Sequence, residues 1–149
     1  MSPSVEKVAR SDAGLAASLR VSVARLGRRM RTEDVDDLGV SVGGLAVLAL
    51  LNREGEKTVG QLAAAERVRP PSMTRTVSCL EGDGLVARSP HPTDGRQVLV
   101  RLAPAGAALL AAERRRRDAW LTCRLRDLNP DERALLRQAA PILERLSNS

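Results

Sequence analysis

The chain has 149 residues, with 24 Lys and Arg against 18 Asp and Glu, and a formal charge of +6. That length suits one domain, or one domain with an added element, and needs no disulfide or metal staple. With one Trp, no Tyr and no Phe, a stacking platform for single-stranded nucleic acid is disfavoured, whereas the basic excess, carried mostly by Arg, suits a polyanionic partner.

The opening "MSPSVEKVARSD" holds no long apolar run, so no secretory signal is expected. Residues 13–33 read as a helix, with Leu15, Leu19, Val23, Leu26 and Met30 on one stripe. Arginines fill its other face, and the acidic "TEDVDDLG" ends it. Ser41 can cap a second helix through "VGGLAVLALLN". Gly43 and Gly44 weaken its first turn unless close packing needs them. Its apolar run "LAVLALL" is far too short to span a membrane, so a soluble cytoplasmic protein without a membrane partner is expected.

After the turn "REGEK", Thr58 and Gln61 stand at capping-box spacing ahead of a short helix. Pro70 and Pro71 fit the first turn of the next one, where backbone donors are spare. Met73, Val77 and Leu80 make its inward stripe, and Gly82 and Gly84 end it. Two short helices joined by the tight "ERVR" linker form a helix-turn-helix candidate. Residues 85–89 and 97–102 are strand candidates that close a hairpin directly behind it. That order, helix pair then hairpin, is a winged arrangement and more specific than either part.

Residues 104–127 read as a long Arg-rich helix, with Leu109, Ala112, Ala119, Trp120 and Cys123 on its packed face. "NPDE", Asn129 to Glu132, is a helix cap. The last helix carries Leu135, Leu136, Ala139, Ile142, Leu143 and Leu146, with Pro141 interrupting its hydrogen bonds. The terminal stripes need partners, within the chain or in a bundle shared by two subunits. Cys79 and Cys123 have no metal-ligand spacing and read as buried thiols acting as small hydrophobes. No cofactor or metal is expected.

Through "SVGGLAVLALLNREGEKTVGQLAAAERVRPPSMTRTVSCLEGDGLVARSPHPTDGRQVLVRLAPAG" the chain resembles the MarR family of winged-helix transcription regulators. "LEGDGLVARSPHPTDGRQVLVRL", placed after the helix pair, is the most specific part; residues 1–35 match only in helical character. The resemblance implies a mainly α fold with a small β-hairpin wing, a winged helix-turn-helix flanked by N- and C-terminal dimerisation helices. The corresponding segments are 1–36, 37–102 and 103–149. It also implies a homodimer on double-stranded DNA at a pseudo-palindromic operator, acting as a repressor and released by a small aromatic or amphipathic effector. Residues 70–82 become the recognition helix for the major groove, and 88–97 the wing for the adjacent minor groove.

The family's Asp-x-Arg wing pattern falls on Asp94 and Arg96: the Asp holds the wing and the Arg meets DNA. Gly95 stands where arginine is common, which removes a phosphate contact or loosens the wing. Ala103 replaces a capping Thr, at a cost of about 1 kcal/mol. On the recognition helix, Ser72, Thr74, Arg75, Thr76 and Ser78 are the candidates for phosphate or base-edge contact. Arg69 and Arg88 are candidates for phosphate. His91, the only histidine, is assigned to the DNA-binding wing rather than to catalysis, because no nucleophile or orienting group accompanies it. The run "ERRRR", residues 113–117, points around a helix cylinder and reads as a solvated face. Two alternatives stand beside this reading: a winged-helix protein-interaction module, and an enzyme centred on His91 or a cysteine.

Overall fold

A computed structural model describes residues 10–32 and 38–149. The chain falls into two units, Met1–Arg114 and Arg115–Ser149. The first helix, α1, spans Asp12–Thr32, and the Ser11 hydroxyl caps it by accepting from the Gly14 amide at 3.1 Å. Its expected stripe lies at the surface: Leu15, Val23 and Leu26 are exposed, Leu19 and Met30 half-buried. Residues 33–37 of the acidic stretch, and the segment boundary expected at residue 36, lie outside the described residues.

Helix α2, Val42–Glu54, starts where Ser41 accepts from the Gly44 amide at 3.0 Å. Leu45, Val47, Leu48, Leu50 and Leu51 are all buried, so "LAVLALL" is a helix surrounded by protein on most sides. Gly44 has the packing reason its low helix propensity demands. A Cβ there would sit 2.8 Å from Val40 and 3.3 Å from Leu80.

A two-residue strand, β1 (Lys57–Thr58), then leads into α3 (Val59–Glu66). The capping box forms as expected: Thr58 accepts from the Gln61 amide at 3.1 Å, and Gln61 accepts from the Thr58 amide at 2.9 Å. At the other end Arg67 takes the left-handed conformation, φ 55°, while the amides of Arg67 and Val68 bond back to Ala64 and Ala63. A side chain in that conformation costs about 1 kcal/mol relative to glycine.

Helix α4, Pro70–Gly82, buries Met73, Val77 and Leu80. It ends in a Schellman turn: Gly84 has φ 72°, its amide bonds Glu81 and the Leu85 amide bonds Leu80, both at 2.9 Å. Strands β2 (Val86–Pro90) and β3 (Val98–Leu102) pair antiparallel from Val86↔Leu102 to Pro90↔Val98. Each begins one residue later than the sequence suggests. β1 pairs the other edge of β3, giving the order β1-β3-β2, with fully buried Val100 in the centre. The core joining these helices and strands is aliphatic throughout apart from Met73.

Helix α5, Pro104–Arg126, begins against the base of the hairpin. The Ala103 amide bonds the Leu85 carbonyl at 3.0 Å, and a Cβ on Gly106 would collide with that same carbonyl. On its expected packed face Leu109, Ala112 and Trp120 are half-buried, but Ala119 and Cys123 are exposed. In the second unit, the Arg124 guanidinium lies 5.5 Å from the Trp120 ring centroid. Helix α6, Pro130–Ser147, starts in the expected cap: Asn129 and Glu132 exchange side-chain bonds to each other's amides, both at 2.9 Å. Pro141 lies inside the helix without ending it, and Leu135, Leu136, Ile142, Leu143 and Leu146 are exposed.

Both cysteines depart from expectation, because Cys79 and Cys123 are exposed. Both segments are helical, as their pattern predicts, but neither thiol lies on a buried face. On α4 the positions facing the core are 73, 77 and 80, which leaves 79 on a flank.

Gly106→Ala is expected to destabilise the fold by about 1–3 kcal/mol, since the new methyl meets backbone that a rotamer change cannot move. Thermal melts of the two proteins check this; an unchanged midpoint would contradict so close an approach.

Candidate nucleic-acid interface

The apolar stripe of α4 decides what the helix shows to solvent. With Met73, Val77 and Leu80 against the core, Arg75 points most directly away, and it is exposed. One flank carries Thr74, Ser78 and Glu81; the other carries Ser72, Thr76 and Cys79. The hydroxyls of Thr74 and Thr76 donate to the carbonyls of Pro70 and Ser72 at 3.0 and 3.1 Å. Each keeps its lone pairs for an incoming donor. Thr76 is half-buried, so it is less accessible than its exposed neighbours. Arg69 occupies the N-cap without making a side-chain cap, and is exposed at the helix start.

The second flank faces the beginning of α2. Between them lies a groove of about 810 Å³, whose walls include Ser41, Gly44, Ser72, Arg75, Cys79 and Asp83.

The tip of the hairpin, residues 91–97, is tied by its own side chains. Asp94 Oδ1 accepts from the Arg96 amide at 3.1 Å, which makes the turn and leaves Arg96 exposed. His91 Nδ1 accepts from the amides of Thr93 and Asp94 at 3.2 and 3.1 Å. Main-chain bonds from His91 to the Gln97 carbonyl and from Gln97 to the Asp94 carbonyl complete the tip. The histidine therefore serves the turn as an acceptor, a role that a spacing rule for catalytic or metal-binding histidines does not reveal. Gly95 is not in the left-handed region, and a Cβ there meets nothing within 4 Å. Its backbone thus has no need of glycine.

Arg88 differs from the other arginine candidates in being bonded to side chains of α4. Its Nε donates to Glu81 Oε2 at 2.7 Å and its Nη2 to Ser78 Oγ at 2.8 Å. Glu81 carries no signal in the sequence, because the pair spans seven residues and a glycine turn that no local pattern bridges. The "ERRRR" run points around α5 but is not the solvated face expected of it: Arg114 and Arg115 are exposed, while Glu113 is buried and Arg116 and Arg117 are half-buried. Among the described residues no three His, Cys, Asp or Glu side chains gather as a metal site, and no helix is long and apolar enough to cross a membrane.

Residues 40–98 match the sequence model of the MarR family. An HTH-type transcriptional regulator of Mycobacterium leprae is 49% identical over 133 residues, covering 89% of this chain and 92% of the relative. A MarR family protein from Bacillus stearothermophilus superposes with a TM-score of 0.68 at 26% identity, over 92% of this chain and 95% of that one. A transcriptional regulator from Thermotoga maritima gives a TM-score of 0.76 at 22% identity, over 93% and 99%, a likeness of fold.

His91→Ala is expected to speed hydrogen exchange at the amides of Thr93 and Asp94, while His91→Asn, which keeps an acceptor, slows it again. Global stability should move by no more than about 1 kcal/mol. Unchanged exchange at both amides in the alanine variant would remove the histidine from the turn.

Proposed function

The chain belongs to the MarR family of transcription regulators, and from that membership and the shape of its reading face we propose a sequence-specific repressor that binds double-stranded DNA as a homodimer. The observation that carries the reading is the pairing of two exposed features on one unit. Helix α4 turns Arg75, Ser72, Thr74 and Ser78 outward, and the wing holds Arg96 at its tip. The helix is of the right kind for a major groove, where Arg reads guanine and hydroxyls meet base edges or phosphate. Arg96 enters the adjacent minor groove, where negative potential is concentrated. Arg69 meets phosphate at the helix start, and Asp94 shapes the wing without touching DNA. His91 belongs to the wing through its turn.

The homodimer is supported by the exposed stripes of α1 (Leu15, Val23, Leu26) and of α6 (Leu135, Leu136, Ile142, Leu146). Apolar rows of this kind call for a partner surface, and a two-fold dimer places two reading helices about 34 Å apart for a pseudo-palindromic operator. The effector part of the reading rests on the groove beside α4. A small aromatic or amphipathic acid seated against Arg75 there withdraws that arginine from the reading face. It releases DNA only if it binds the DNA-incompetent form more tightly. The compartment that fits this function is the cytoplasm, where the DNA is.

Arg96→Ala is expected to weaken binding to a cognate duplex by about 1–3 kcal/mol, roughly five- to 150-fold, and to lower the salt dependence by about one counterion. Gel-shift titrations at several salt concentrations measure both. Equal affinity of the two proteins would take Arg96 out of the interface, and absence of duplex binding by the native chain would favour a protein-interaction module.

A further inference from the structure

Arg88 looks like a phosphate contact in the sequence, yet its guanidinium is already engaged. It lies on β2 and reaches two residues one turn apart on α4, Glu81 at 2.7 Å and Ser78 at 2.8 Å. The pair closes over the Schellman turn at Gly84 that links reading helix to wing. The side chains of Arg88 and Glu81 are 32% and 43% exposed, so solvent screens them and they add little to global stability. Leu80, Leu85 and Val86, all buried beneath, hold the two elements together. What the surface pair can set is their angle.

We propose that Glu81, Ser78 and Arg88 form a latch fixing the pitch of the wing against the reading helix, so that Arg88 is a positioning residue and not a phosphate contact. The proposal rests on the DNA-binding reading above. Its logic is that of a lever. At about 3.3 Å per residue the wing tip lies roughly 15 Å beyond Arg88, and a rotation of ~10° at the base then carries Arg96 about 2.6 Å. That exceeds the distance tolerance of a hydrogen bond. A wing free to rock can meet the minor groove only by giving up part of its time in register with α4. Ser78 enters the same arrangement: its hydroxyl accepts from Arg88 and keeps its own hydrogen to donate outward.

The two roles for Arg88 differ in sign when Glu81 is removed. Glu81 is an exposed anion on a flank of α4, beside the face proposed to meet DNA. If Arg88 binds phosphate, Glu81→Ala frees it and lowers repulsion, and binding tightens. If the latch matters, Glu81→Ala weakens binding to the specific site although a negative charge has gone.

The experiment uses the duplex that the native protein selects from a random pool, with an alternating inosine–cytosine duplex as the non-specific probe. Glu81→Ala and Arg88→Ala are expected each to lose roughly three- to fivefold in affinity for the selected duplex, and the double variant to lose no more than either. Glu81→Gln, which keeps an acceptor for Arg88, should recover most of the loss. Non-specific affinity of Glu81→Ala should stay level or rise, and melting midpoints should stay together. Tighter or unchanged selected-site binding by Glu81→Ala overturns the latch alone. So does an Arg88→Ala variant that loses selected and non-specific binding equally. A native protein that selects no duplex overturns both the latch and the reading beneath it.

Discussion

The structure turns on the docking of one helix by three side chains. Met73, Val77 and Leu80 press α4 into an aliphatic core built from α2, α3 and the sheet. Because a helix has only one such stripe to give, burying it dictates the rotation of the whole element. Arg75 and its polar neighbours are outward as a consequence. Gly44 makes the contact possible by letting α2 approach Leu80, and the glycine turn at Gly84 delivers the chain straight into β2. Wing and reading helix are thus neighbours in space because they are neighbours in sequence.

Much of this could be read before any coordinates. Helix positions follow from three-to-four spacing, and both capping boxes form at the residues that announce them, Thr58 with Gln61 and Asn129 with Glu132. These signals are local, and the interactions they report are local too. The two-residue β1 gave no periodic signal because two residues cannot alternate. The cysteines lie off the expected face because a helical pattern fixes spacing more firmly than rotation. Charge and residue type alone speak for Arg88 and His91 in the sequence, whereas their partners depend on how β2 folds back beside α4 and on how a seven-residue tip closes. Gly106 showed no sign of its importance, since the carbonyl it accommodates belongs to Leu85, on the far side of the hairpin.

The two chemistries in the wing complement each other. The tip is shaped by Asp94 and His91 as acceptors, and its base is tied by Arg88 as a donor. None of these groups is deeply buried, so they add little to holding the fold, and in the proposed reading their effect lies in narrowing the orientations of Arg96. A cationic side chain presented on a pre-shaped loop loses less freedom on meeting its target than one on an unrestrained loop. The glycine at position 95 does not oppose this, since the turn is closed by its neighbours.

The scarcity of aromatic residues has an optical consequence. With no Tyr or Phe, all ultraviolet emission comes from the indole of Trp120, which stands in the second unit beneath a guanidinium. Nothing on the reading helix or the wing fluoresces. The molecule therefore carries its intrinsic dye in the second unit and the helix and hairpin proposed to meet DNA in the first, so its emission reports the surroundings of Trp120 alone.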